Sequence, residues 1–205
     1  MNPIDPILHS LHLRRPTQCV HNPYKDARMV SNLRLYFERL LLEGPSVMAI
    51  GEAIGWRGAR STGIPFTCVS ILKNPVHRTL KAIRERIELD EELSELTENS
   101  ARTVWDFFAE SKPAPVLWNA FPFHPHKPMR ELTNRKPTVG ELEEGKRYIR
   151  LLYEAYAPGR LVGIGRAGER VLREMFPNRC VEYVRHPSHG GRDAFLCGMR
   201  RVFER

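Results

Sequence analysis

Four short apolar runs, each closing on a glycine or a polar loop, constrain this chain more than any other feature. Val47-Met48-Ala49-Ile50 runs into Gly51, and Val116-Leu117-Trp118 into Asn119. Leu161-Val162-Gly163-Ile164 runs into Gly165, and Cys180 to Val184 into Arg185-His186-Pro187. Apolar runs this short, bounded by turn signals, read as strands buried on both faces. Helical patterns lie between them. Leu33, Tyr36, Phe37, Leu40 and Leu41 recur with helical spacing until Gly44-Pro45 ends the pattern. Ser100 reads as the cap of a helix reaching Glu110, with Val104, Phe107 and Phe108 inward. Thr138-x-x-Glu141 is a capping box opening a helix whose inner face is Leu142, Ile149, Leu152, Tyr153 and Tyr156. Phe195, Met199 and Val202 line a last helix. Buried strands alternating with helices predict a three-layer α/β/α sandwich around a short four-stranded, mostly parallel sheet. At 205 residues the chain is expected to form one domain over 1–205. Residues 1–27 hold Pro3, Pro6, Pro16 and Pro23 and read as an irregular N-terminal arm.

Charge narrows the partner. There are 32 Lys+Arg against 24 Asp+Glu, a formal +8. Six of the acids, Glu88, Asp90, Glu91, Glu92, Glu95 and Glu98, fall in one stretch. Without them, 32 basic groups face 18 acidic ones, a net +14 for the rest. The acidic stretch reads as a solvated helix end or loop. The basic remainder suits either simple solubility or a polyanion, of which nucleic acid is the commonest. Cys19, Cys68, Cys180 and Cys197 form no C-x-x-C pair, so they are expected to be reduced and mostly buried. No apolar run approaches the roughly 20 residues of a membrane span, and the N-terminal residues show no signal-peptide core. A cytoplasmic monomer with no membrane partner is expected.

Ligands of open parallel sheets bind beyond the carboxyl ends of the strands. The loops at 51–67, 119–136 and 185–192 are therefore expected to meet in one site. The first carries four glycines and Glu52, placed to act as a base or to orient water. It matches neither a P-loop nor the dinucleotide fingerprint. Phe66 suits either a stacking platform or the core. In the second loop Asn119 can pair with an amide-like edge. His124-x-His126 resembles a metal pair but supplies too few ligands. In the third, His186 directly follows a strand and can hydrogen-bond a developing anion, accept a proton or bind metal.

Three ordered blocks resemble the uracil-DNA glycosylase superfamily. Gly51-Glu52-Ala53-Ile54-Gly55 is similar to the first family motif in its "GEAPG" version. Phe66, in Thr62-Gly63-Ile64-Pro65-Phe66-Thr67, resembles the base-stacking phenylalanine, and His186-Pro187-Ser188 the "HPS" opening of the second motif. Asn119 resembles the uracil-reading asparagine. The resemblance implies an enzyme that flips uracil out of DNA and hydrolyses its N-glycosidic bond, without cofactor or metal. It implies His186 and Glu52 as catalytic residues, and Phe66, Asn119, Gly51 and Ala53 around the base. Arg57, Ser188, His189, Gly190, Arg192 and Lys127 are then expected to contact DNA. The chain also departs from the best-known branch. Ala53 stands where that branch has its water-activating Asp, Gly55 where it has a Tyr that excludes the thymine methyl, and Gly190 where it has a Leu wedge. Glu52 is expected to take over the water, and Arg192 or His189 the wedge. The cysteine spacing does not suit an iron–sulfur cluster. Two other readings stand beside this one: a catalytically weak binder of damaged or abasic DNA, and a metal-dependent hydrolase using His124, His126, His186 and His189.

Overall fold

The computed structural model describes residues 2–93, 97–109 and 113–204. Ser94, Glu95, Leu96 and Glu110, named or spanned in the sequence reading, lie outside them.

Strands β2 (Val47–Ala53), β3 (Val116–Phe121), β5 (Arg160–Ile164) and β6 (Val181–Val184) form one sheet in the order β3-β2-β5-β6. Every pairing in it is parallel. β2 and β3 both run further than their apolar cores suggested. Gly51 and Ala53 are paired to Asn119 and Phe121, so Glu52 and Asn119 belong to the strands rather than to the loops that follow. The chain leaves β2 toward one edge and returns to its other side at β5. That reversal opens a crevice beside the carboxyl end of β2.

Helices flank the sheet on both faces. α2 (Ala27–Glu43) starts at an Asp26 cap and stops at Gly44, which takes the left-handed conformation. Its Phe37 ring packs 5.6 Å from Trp118. α6 (Val139–Tyr156) opens on the expected capping box, Thr138 and Glu141 bonding reciprocally. α7 (Arg166–Met175) and α8 (Arg192–Phe203) follow β5 and β6. Two short helices, α3 (Val69–Lys73) and α4 (Arg78–Lys81), carry the chain to the acidic stretch. α5 (Asn99–Phe108) is capped at Glu98, not Ser100; the Ser100 hydroxyl instead donates to Glu98 Oε1 at 2.9 Å.

The N-terminal residues are not an irregular arm. α1 (Asp5–Leu13) buries Ile7, Leu8 and Leu11. Pro6 lies in its first turn, where the missing N–H is no loss. β1 (Val20–His21) then pairs antiparallel with β4 (His124–Pro125). His126 N–H and Arg135 Nη2 both donate to the Cys19 carbonyl, at 2.9 and 3.0 Å. Arg135 also holds Glu141 through two bonds of 2.7 and 2.6 Å. The N-terminal segment thus braces the loop after β3 against the start of α6. Of the cysteines only Cys68 is buried; Cys19 is partly exposed, and Cys180 and Cys197 are exposed. The expectation of mostly buried thiols fails because Cys180 precedes β6 and Cys197 lies on an outward position of α8.

Candidate functional site

Gly51, Phe66 and Asn119 meet at the end of β2. A β-carbon at position 51 would stand 2.5 Å from Phe66 Cζ and 2.8 Å from Asn119 Oδ1. Glycine is required here because the ring and the carboxamide occupy the space of a side chain. Phe66 holds a positive φ of 55°, costly for a residue with a β-carbon. Its surroundings enforce it. The buried indole of Trp105 donates to the Phe66 carbonyl at 2.9 Å. Next to it, Thr67 Oγ1 contacts Thr62 Oγ1 at 2.7 Å and donates to the Ile64 carbonyl at 2.8 Å. These bonds fix the Phe66 backbone, and the ring, 8% exposed, packs at the edge of the hydrophobic core against Gly51. Asn119 is only 5% exposed, and its carboxamide bonds to none of the described residues. The Asn119 amide is not among the fully buried polar atoms without a partner, so it keeps a small opening to solvent where a ligand edge can reach it.

His186 stands beside Phe66, with ring centroids 6.5 Å apart and planes tilted by 34°. Its Nδ1 faces the Ser188 backbone N–H at 3.2 Å and the Ser188 hydroxyl at 2.8 Å. A backbone N–H can only donate, so Nδ1 accepts and the neutral ring carries its proton on Nε2. Burial, and then the charges of Arg185 and His189, push the His186 pKa down to about 4. The imidazole is thus neutral at physiological pH, and none of the described residues accepts from its Nε2–H.

A cleft of about 530 Å³ opens beside these groups. Glu52, Ala53, Arg57, Ser188 and His189 line it together with His186. Six of the sequence-predicted residues are therefore gathered at one opening; Gly51, Phe66 and Asn119 do not line it, and the link to them is the Phe66 ring beside His186. Arg57 lies across the Trp56 ring at 4.5 Å. Lys127, Gly190 and Arg192 do not line the cleft; Lys127 and Gly190 are exposed on turns and Arg192 is exposed at the start of α8. His124 is fully buried, and its two ring nitrogens face the carbonyls of Ile54 at 3.0 Å and Glu131 at 2.8 Å. His126 Nδ1 faces the Lys127 carbonyl at 3.0 Å. This pair ties loops together and turns no lone pair of His124 toward the cleft.

Glu98 is the residue the sequence reading misplaced. It belongs to the acidic stretch expected to be solvated, yet its carboxyl turns inward over the Gly55–Gly58 turn. A β-carbon at position 58 would fall 1.7 Å from Glu98 Oε2, and one at position 55 would lie 3.5 Å from Oε1. Burial pushes the Glu98 carboxyl pKa up, against a smaller opposing effect of the Ser100 hydroxyl bond. Asn134 and Lys136 also line the cleft, and Asn134 Oδ1 accepts from the Trp56 N–H at 3.0 Å. No local period marks these residues; the glycines at 55 and 58 were the one hint that something packs against that turn.

The fold and cleft define an α/β/α protein with a cleft beyond the carboxyl ends of a parallel sheet. No family model matches the chain, and no curated protein sequence matches it. Among solved structures, the crystal structure of wild-type Pedobacter heparinus SMUG2 is similar. The TM-score is 0.70 at 14% identity, over 100% of this chain and 97% of that one. At that identity the likeness concerns the fold.

Proposed function

We propose that this chain is a DNA glycosylase that excises uracil from DNA as a monofunctional hydrolase. The observation that carries the reading is the niche itself: an Asn119 carboxamide that bonds to none of the described residues and the Phe66 ring, both against Gly51, with a free Nε2–H on neutral His186 beside the ring. A flat base with an amide-like edge fits all three. Phe66 stacks on it, and Asn119 pairs with its O4/N3 edge.

The reaction follows from those positions. The C1′–N1 bond breaks with its electron pair leaving on the base, so negative charge grows on uracil O2. His186 Nε2–H donates to that oxygen and stabilises the charge without giving up its proton. The sugar becomes oxocarbenium-like, and a water oxygen bonds to C1′ from the opposite face. Glu52, which forms no ion pair with the described residues, takes the water's proton. Ala53 at the neighbouring position has no group to do so. Arg57, Lys136 and the exposed bases around the opening suit DNA phosphates.

The test is single-turnover cleavage of single- and double-stranded uracil oligonucleotides, read after alkali. Cleavage at uracil is expected, and its absence from a clean, folded preparation overturns the reading. Tight binding to abasic DNA without turnover would leave a damage-binding protein instead. Asn119→Ala is expected to lower the rate at least tenfold, the equivalent of about 1.4 kcal/mol.

A further inference from the structure

The geometry points to Met129 as the side chain that enters the base stack of duplex DNA, and we propose that the Lys127–Arg130 turn is a wedge. The proposal rests on the glycosylase reading, since only an enzyme that extrudes a base needs a plug for the gap. Three observations carry it. First, Met129 is 93% exposed, the largest exposure among the described large apolar residues. Second, it sits at the apex of a tight turn closed by Arg130 N–H donating to the Lys127 carbonyl at 3.0 Å, with a positive φ of 56°. Pro128 precedes it, and a Pro followed by a positive-φ residue ordinarily has glycine or asparagine in the second place. A methionine there is strained and wasted in water unless it meets something apolar. Third, the turn is flanked by Lys127 and Arg130, so charge brings a phosphate backbone to the same tip.

The turn is also stiff and well placed. Thr133 Oγ1 donates to the Arg130 carbonyl at 2.7 Å and accepts from the Lys127 N–H at 3.1 Å. His124 faces the Glu131 carbonyl, and Arg60 pairs with the Glu131 carboxylate at 3.2 Å. The same loop leaves β3 just beyond Asn119 and returns to line the cleft at Asn134. Five residue steps separate Met129 from Asn134, at most about 18 Å of chain. That keeps the tip within about 18 Å, or about five base steps at about 3.4 Å each, of the cleft edge at Asn134. Proteins that kink or probe duplexes insert side chains of this kind, methionine among them, between base pairs. Gly190, exposed and without a side chain, supplies no wedge on the other side of the cleft, and the proposal sets Met129 in place of the expected Arg192 or His189.

The experiment uses the full chain and Met129→Gly, Met129→Ser and Met129→Leu. Met129→Gly suits the positive φ, so its melting temperature is expected to equal or exceed that of the wild type, which removes misfolding as an explanation. The first readout needs no excision: fluorescence of 2-aminopurine opposite an abasic-site analogue in a duplex. The wild type and Met129→Leu are expected to raise it severalfold by unstacking, and the Gly and Ser variants at least fivefold less. The second is the ratio of duplex to single-strand excision rates, expected to fall at least tenfold for Gly and Ser and to return toward wild type for Leu. Equal fluorescence and equal ratios across the four proteins would overturn the wedge while leaving the glycosylase reading intact. A chain that unstacks 2-aminopurine through Met129 but never cleaves uracil would keep the wedge and overturn that reading.

Discussion

Replacing Gly51 by alanine puts one methyl group into the most crowded point of the site. The new carbon would lie 2.5 Å from Phe66 Cζ and 2.8 Å from Asn119 Oδ1. Carbon atoms rest at about 3.5–4.0 Å, so the ring must retreat by about 1 Å. Phe66 has little freedom to do so, because Trp105 holds its carbonyl and its φ is already strained. Overpacking of this kind costs about 1–3 kcal/mol of stability. Against a domain stability of about 5–15 kcal/mol that leaves the protein folded. The catalytic loss is expected to be larger, because a displacement of about 1 Å in a positioned group can cost about a hundredfold in rate. The assay pairs urea denaturation with single-turnover excision at saturating enzyme. Adding Phe66→Leu to Gly51→Ala is expected to recover stability, since the shorter side chain yields the space, but not rate, since the stacking face is gone. A Gly51→Ala protein that cuts uracil DNA within twofold of wild type would refute the placement of the ring over the base.

Other outcomes follow from the same geometry. His186→Ala is expected to lower single-turnover excision at least tenfold, about 1.4 kcal/mol of transition-state stabilisation; an unchanged rate rejects its role at O2. His186 is held near pKa 4 in the fold against 6.5 when free. The unfolded chain therefore binds the proton first, and stability present above pH 6.5 is lost as pH falls toward 4, by up to about 3 kcal/mol from this group. His21 and His124, also pushed down by burial, act in the same direction. Glu98, pushed up, acts in the opposite one, so the His186 share is read as the difference between the wild type and His186→Asn in urea melts from pH 7 to 4. Trp105→Phe removes the donor to the buried Phe66 carbonyl, with an expected loss of about 1–3 kcal/mol and a lower excision rate; equal stability would show that the bond is dispensable. Glu98→Gln keeps shape and removes the titration. It is expected to leave the fold intact and to change the pH profile of excision on the alkaline side of the ordinary carboxylate range, and a superimposable profile excludes Glu98 from the chemistry.

Much of this molecule is written in local pattern. Apolar runs and helical spacing repeat over a few residues, so the four strands of the sheet, the helix over 27–43 and the capped helix at 139 could be read directly. The same holds for the gathering of the three loops, because a parallel sheet sends every strand's carboxyl end to one edge. The boundaries were harder. β2 and β3 continue through Gly51, Glu52 and Asn119, where pairing with a neighbour outweighs weak strand propensity. α1 was hidden by Pro6, which sits in its first turn, where it does no harm.

What tertiary structure alone decided are contacts between residues far apart in the chain. The Phe66 ring reaches Gly51 because Trp105, on a helix 39 residues on, fixes its backbone in a conformation no local preference favours. Glu98 turns inward, against the expectation of a solvated stretch, because the side chain missing at Gly58 makes room for its carboxyl. Met129 stands in water because the N-terminal segment and Thr133 hold its turn away from the core. Periodicity records which face of an element is buried; it does not record which distant atom will fill a gap.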